Sequence, residues 1–217
     1  MSLQSKGAWW NLVRFGFRLL YHEMAFTYDA VSYGVSLGQW RCWQRSALNF
    51  LPTPDAGTLL EIAHGTGNLQ LDLHEAGYTS IAYDYSAQMG QIARNKLARH
   101  TINGNFSQGL AQQLPFADES FTAIVTTFPT NFIIQPETLQ EAYRVLKPDS
   151  CLIAVLNGAL TSDGIVQKFI ESLYAITGQR SDTTQSAPDY FDGYGFTVEM
   201  QQIACKGSQA QLVILRK

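Results

Sequence analysis

The sequence predicts an α/β fold: a seven-stranded, mostly parallel sheet with helices on both faces, an antiparallel hairpin strand at its C-terminal edge and an N-terminal helical lid. Three observations carry this. Strand-like and helix-like runs alternate from residue 58 onward, the pattern of parallel strands joined by crossover helices. The run FTAIVTTF (121–128) is continuous and apolar, as a central parallel strand covered on both faces must be. The chain closes on two strand-like runs, 196–205 and 209–217, joined by Lys-Gly-Ser, a spacing that makes a hairpin.

The elements follow in order. Residues 8–25 have helical periodicity, with Asn11, Arg14, Arg18 and His22 on one polar stripe. Residues 36–50 read as a second helix, with Ser36 as its cap. Pro52, Pro54 and Gly57 then punctuate the chain, separating a lid over 1–50 from a main unit over 58–217. TLLEIA (58–63) is a buried strand, followed by a glycine turn and a helix over 67–76 that Gly77 ends. TSIAYD (79–84) is the second strand, and Ser86 caps a helix reaching about His100. A weaker strand lies at 103–109, ahead of 121–128. A helix over 136–147 starts on Pro136 and stops before Pro148, and CLIAVLN (151–157) is the fifth strand. Residues 163–177 form another helix, stopped by Gly178, before the hairpin.

Composition narrows the function. Charged residues make up 15% of the chain, against about 25% in an average domain, which implies a large buried fraction or some apolar surface. A net charge of -3 and a pI near 5.8 give no electrostatic case for nucleic acid. Cys42, Cys151 and Cys205 are far apart without Cys-x-x-Cys spacing, so neither a disulfide framework nor a zinc site is expected, and a reducing cytoplasm fits. The four histidines stand at no metal-ligand spacing, so no metal is expected. No apolar run is long enough for a transmembrane helix, and the N-terminus does not read as a signal peptide.

The chemistry concentrates at the end of the first strand. In an open α/β sheet ligands bind at the carboxyl ends of the strands, near the point where strand order reverses. The loop Ala63-His64-Gly65-Thr66-Gly67 stands there, and its glycines let the backbone approach a ligand closely. Asp84, 19 residues after Gly65, ends the next strand, where a carboxylate can accept hydrogen bonds from a ribose diol. A nicotinamide or flavin dinucleotide would use the same geometry, but its G-x-G-x-x-G/A pattern needs a small residue where Gln70 stands. A glycine turn without a ligand is the other reading of the loop, and Asp84 beside it makes that reading the less favoured one.

At this point the sequence resembles the class I S-adenosylmethionine-dependent methyltransferases. LLEIAHGTGN is close to their E/D-x-G-x-G-T-G motif. AYDYSAQM (82–89), GLAQQLPFADESFTAIVTTF (109–128) and EAYRVLKPDSCLIAV (141–155) resemble the motifs that follow it, in the right order. The resemblance covers roughly 58–157, and the hairpin suits the family's last two strands. With FTYD (26–29) and SLGQWRCW (36–43), the nearest subgroup is the ubiquinone/menaquinone-biosynthesis C-methyltransferase type.

The resemblance implies a Rossmann-like sheet and S-adenosylmethionine as cofactor. It implies that Ala63, His64 and Gly65 line the methionine part through backbone groups, with Gly67 completing the loop and Glu61 orienting it. Asp84 would bind the ribose, Tyr85 and Met89 would pack on the adenine, and Leu110 and Ala111 would flank its other edge. Thr127 and Phe128 would lie near the sulfonium, and Tyr28 would close over the cofactor. Two positions depart from the family. Ala63 replaces its first glycine, and Leu110 replaces the acidic residue that contacts the adenine amine, a loss of about 1.5–3 kcal/mol. A cofactor-binding relative without turnover is therefore a second expectation.

Methyl transfer is an in-line displacement at a sulfonium carbon, for which alignment and exclusion of water suffice when the nucleophile is already activated. No catalytic base is assigned. His22, Tyr21, Tyr28 and Tyr33 lie in the lid, where they could serve a carbon or hydroxyl nucleophile as base, and packing is the favoured reading for each. TTFPTNF (126–132) lacks the N/D-P-P-Y/F motif of amino-directed DNA methyltransferases. The expected acceptor is a small apolar or lipid-like molecule. Residues 1–20 combine Lys6, Arg14 and Arg18 with Trp9, Trp10, Phe15 and Phe17, which suits peripheral contact with a membrane surface or a helix packed over the active site.

Overall fold

A computed structural model of the chain describes residues 28–160, 190–191 and 193–217. The expected helices over 8–25 and 163–177, and the membrane-facing segment 1–20, lie outside the described residues. Two short helices come first, α1 (Tyr28–Val35) and α2 (Trp40–Arg45), followed by a 3-10 turn over Ser46–Phe50. Seven strands and three further helices alternate after them: β1 (Thr58–Ile62), α3 (Asn68–Glu75), β2 (Thr79–Asp84), α4 (Ala87–Arg99), β3 (Asn105–Gln108), β4 (Phe121–Thr127), α5 (Pro136–Val145), β5 (Leu146–Leu160), β6 (Thr197–Cys205) and β7 (Ser208–Arg216).

The strands form one sheet in the order β3-β2-β1-β4-β5-β7-β6. All adjacent pairs from β3 to β5 are parallel, and β7 runs antiparallel to both β5 and β6. Strand order reverses between β1 and β4, so the crevice of an open α/β sheet falls at their carboxyl ends. Successive residues of the central strands point to opposite faces, and both faces are covered. Leu60, Ile62, Ile124, Leu152 and Ala154 enter one buried cluster, while Leu59, Ala123, Val125, Ile153 and Val155 enter the other. That double burial is why these strands read as unbroken apolar runs.

Local chemistry sets the helix ends. Ser86 accepts the Met89 amide at 3.3 Å and starts α4. Pro136 starts α5, whose Thr138, Leu139, Ala142 and Val145 form a buried stripe at helical spacing. Arg144, near the end of α5, donates to the carbonyls of Leu114 and Phe116 at 3.0 and 2.7 Å and pairs with Glu141, which accepts the Leu114 amide. The loop that precedes β4 is thereby fastened to α5.

Three expectations change. Ser36 does not cap α2, whose N-cap is Gln39; its hydroxyl accepts the Trp40 amide at 3.0 Å from one turn earlier. The fifth strand is longer than 151–157, because β7 pairs with it out to Leu160. Finally, Cys42 and Cys205 form a disulfide with a Cα–Cα distance of 6.2 Å, which removes the cysteine-based ground for a reducing compartment. Sequence spacing could not report this pair, since the two residues meet only when α2 lies over the end of β6. Trp43 seats α2 there: its indole nitrogen donates to Ser208 at 3.0 Å, and a Cβ at Gly158 would overlap its ring.

Among the described residues no helix is long and apolar enough to cross a membrane, and no group of His, Cys, Asp and Glu could hold a metal ion.

Candidate functional site

The ends of β1, β2 and β4 surround a cavity of about 340 Å³, within the range of small-molecule sites. Ala63, Gly65, Asp84, Tyr85, Met89, Leu110, Ala111, Thr127 and Phe128 all line it, as do Ile62, Tyr83, Ser86, Gly109, Gln112, Pro129, Thr130 and Phe132. Gly65 has φ +54°, and a Cβ built on it would meet nothing within 4 Å, so the loop presents an open backbone surface.

Two lining residues that are not glycine also lie in the left-handed region, Ala63 at φ +58° and Phe128 at +52°. They follow β1 and β4, the strands that flank the switch point. Backbone in this region costs roughly 1–2 kcal/mol per residue and persists only where its surroundings enforce it. Ala63 is held by its amide, which donates to the Tyr83 carbonyl at 2.7 Å. Phe128 is held by its amide on the Val155 carbonyl, also 2.7 Å, and by Trp40 of α2, stacked on its ring at 3.9 Å.

Among the described residues that line the cavity, Asp84 alone is charged. Its Oδ2 accepts the Gly65 amide at 2.9 Å and its Oδ1 accepts the Ser86 amide at 2.8 Å. The carboxylate is thus fixed in place and fixes the loop in return. A carboxylate offers about four lone-pair sites, so two backbone donors leave capacity for a diol. The residues fit a ribose-bearing cofactor: an oriented carboxylate, an open glycine backbone and an apolar wall share one cavity.

Glu61 lies behind the loop. It is buried and accepts the Gln70 side-chain amide, whose oxygen in turn accepts the Ser80 hydroxyl at 2.8 Å. Burial, reinforced by Asp84 and Asp72, outweighs the Gln70 hydrogen bond and pushes the Glu61 carboxyl up to about 8. Gln70 therefore occupies the position where a dinucleotide fold would need a small residue, and ties the helix to the strand with hydrogen bonds.

Other expected residues sit elsewhere. His64 does not line the cavity. Its ring is buried, packs edge-on against Phe106, and places Nδ1 2.8 Å from the Gly65 carbonyl, so the neutral tautomer with a proton there can donate to it. Burial lowers its basicity, with Asp84 opposing. Gly67 starts α3 at φ +80°, where an added Cβ would come within 2.8 Å of Ala93. Its glycine serves helix packing. Tyr28 opens α1, but its side chain lies outside the described residues.

Sequence reasoning missed Asp29, which reaches Thr66, Asn68 and Lys96, and Trp40, which supports Phe128. The former sits in the quoted FTYD, yet its partners are 37 to 67 residues away. The segment Pro129–Phe132 could have been included from topology alone, because it follows β4 directly.

Comparison with known proteins agrees with this fold. A family model described as "Methyltransferase domain" matches residues 59–149. The ubiquinone/menaquinone biosynthesis C-methyltransferase UbiE of Ruegeria sp. (strain TM1040) is 30% identical over 185 residues, covering 83% of this chain and 73% of that protein. The demethylmenaquinone methyltransferase of Paenarthrobacter aurescens is 33% identical over 135 residues, 62% of this chain and 52% of that protein. The chain thus spans little more than half the length of several relatives. Among solved structures, a Haemonchus contortus N-methyltransferase with phosphomonomethylethanolamine and S-adenosylhomocysteine has a TM-score of 0.62 at 12% identity, covering 86% of this chain and 57% of that one. A geranyl diphosphate methyltransferase with S-adenosylmethionine reaches 0.61 at 11% identity, covering 81% and 84%. These two likenesses concern the fold.

Proposed function

Because the chain belongs to the class I S-adenosylmethionine-dependent methyltransferase family, we propose that it transfers a methyl group from S-adenosylmethionine to a small, apolar or lipid-like acceptor. The observation that carries this is Asp84, anchored through both oxygens beside the open face of Gly65 in a cavity that is otherwise apolar or neutral. The bound cofactor supplies an electrophilic methyl on a sulfonium.

The protein's residues bind, orient and exclude water. Asp84 accepts the ribose hydroxyls on its remaining lone pairs. Ala63 and Gly65 offer backbone to the methionine part, and Tyr85, Met89, Leu110 and Ala111 form the adenine walls. Thr127 and Phe128 face the reacting end, where an aromatic ring attracts a cation. Pro129, Thr130 and Phe132 continue from there as the acceptor wall, and their mainly apolar character favours an apolar acceptor. The quinone-pathway relatives support a quinol-like ring as one acceptor class. No residue of the cavity is assigned as a base. A quinol or phenol acceptor then reacts as its phenolate, with the displaced proton passing to water, and the protein's own contribution is orientation, which can contribute up to about 10 kcal/mol.

A second reading has an observation of its own. Leu110 is half exposed at the cavity rim where the family has an acid, and Ala63 holds a strained backbone where it has glycine. Both favour weak cofactor binding without turnover. Calorimetric titration with S-adenosylmethionine and S-adenosylhomocysteine, followed by a methyl-transfer assay over quinol, phenol and amine acceptors, separates the two. Binding with transfer to a quinol or phenol is expected. Absence of binding at millimolar ligand rejects both, and binding with no transfer to any acceptor favours the second. Equal sedimentation with liposomes of the intact chain and one lacking residues 1–20 would reject a peripheral membrane contact for the lid.

A further inference from the structure

Three stretches distant in sequence meet on the flank of the glycine loop. Asp29, in the first turn of α1, accepts the Thr66 hydroxyl at 2.6 Å and the Asn68 side-chain amide at 2.9 Å on one oxygen. Its other oxygen takes the Lys96 ammonium of α4 at 2.6 Å. Lys96 also donates to the Asn68 side-chain oxygen at 2.7 Å and lies 3.2 Å from the Thr66 hydroxyl. Neither Thr66 nor Asn68 lines the cavity, whereas Gly65 next to them does. We infer that Asp29, held by Lys96, is a positioning residue that keeps the glycine loop in its binding geometry; the inference rests on the proposed cofactor site.

The loop is gripped from two sides. On the cavity side Asp84 accepts the Gly65 amide. On the other side Asp29 and Lys96 fasten the side chains either side of Gly67, whose left-handed backbone has no room for a Cβ against Ala93. Without the second grip, the Thr66 and Asn68 side chains would lose their anchor, leaving the loop tied through the Gly65 amide on Asp84 and the His64 ring on the Gly65 carbonyl. Ordering them would then be deferred to ligand binding and would weaken it. The cluster is a poor candidate for a purely stabilising device, because the Asp29 side chain is 41% exposed and such ion pairs add little to global stability. Burial acts to raise the Asp29 carboxyl, but Lys96, Thr66 and Asn68 together hold it below its usual range, so the anion persists at neutral pH.

The test uses the full chain as Asp29→Ala, Asp29→Asn, Lys96→Met and the Asp29→Ala/Lys96→Met double variant. Each is titrated with S-adenosylhomocysteine, melted thermally, and followed unliganded by peptide-resolved amide hydrogen exchange. Asp29→Ala should weaken binding about tenfold and Asp29→Asn, which keeps an oxygen for Thr66 and Asn68, about threefold. Adding Lys96→Met to Asp29→Ala should change binding less than about twofold, because the two act as one unit. Exchange should quicken across 64–68 and stay unchanged in β5 and β7. Binding within twofold of wild type in Asp29→Ala, or exchange quickened across the whole sheet with a large fall in melting temperature, overturns the inference. If the wild-type protein does not bind, the proposed function fails, and exchange at 64–68 alone decides the positioning role. If Asp29→Ala does not fold, Lys96→Met carries the same comparison.

Discussion

At the residue scale the site turns on a few side chains whose environments conflict with their chemistry. Ala63 is the first. Its left-handed backbone costs about 1 kcal/mol relative to glycine, while its methyl, packed against the core, contributes at most about 0.8 kcal/mol by burial. The two nearly cancel, so Ala63→Gly should leave unfolding free energy within about 0.5 kcal/mol of wild type. It should nevertheless tighten S-adenosylhomocysteine several-fold in a calorimetric titration, since it opens the cavity wall. Glu61 is the second. Its folded carboxyl sits at about 8, above the unfolded value of 4.5. Its contribution is therefore fully present below pH 4.5 and lost as pH rises through 8. Glu61→Gln keeps an acceptor for Gln70 and removes the ionisation. Urea unfolding should show a gain on the order of 3 kcal/mol larger at pH 8 than at pH 5. Asp84 and the glycines could be read from the sequence because their roles depend on short spacings. The Asp29 cluster could not, because hydrogen bonds among residues 29, 66, 68 and 96 leave no periodic trace.

At the element scale, α2 is the piece that the sequence described least well. Its pattern suggested one helix from Ser36, whereas six helical residues are followed by a 3-10 turn. Long-range contacts, not local propensity, fix it. The Cys42–Cys205 disulfide ties it to β6, and Arg41 pairs at 2.6 Å with Asp72 of α3, which is 3% exposed. Burial raises the Asp72 carboxyl while Arg41 and Arg45 oppose it. Removing one partner of such a pair strands a buried charge. Arg41→Met should cost about 2 kcal/mol in urea unfolding at neutral pH, less than for an isolated pair because Arg45 remains 3.7 Å away. The disulfide spans 163 residues. Loop entropy gives an upper bound of about 5 kcal/mol for so long a loop, and 2–4 kcal/mol is typical. Cys205→Ser should lose about that amount under non-reducing conditions, and a reductant should destabilise the wild type alone. By contrast α5 was legible to within two residues, because Pro136, the apolar stripe and Pro148 are local signals.

At the scale of the whole molecule, the sheet was predictable because burial on both faces writes itself into consecutive apolar residues, and the order of motifs then fixes the switch point between β1 and β4. The placement of α1 and α2 was not, because they depend on partners in α3, α4 and β7. The result is a rigid sheet whose strand ends hold a strained loop on each side of one cavity, with α2 bracing the β4 side through Trp40 and α1 the β1 side through Asp29. The central claim is that Asp84 is the ribose anchor of this cavity. A crystal structure of the chain with S-adenosylhomocysteine tests it most directly. The account predicts both ribose hydroxyls on the Asp84 carboxylate, with the adenine between Met89 and Ala111. A ligand bound elsewhere, or in this cavity with Asp84 touching only the Gly65 and Ser86 amides, would contradict it.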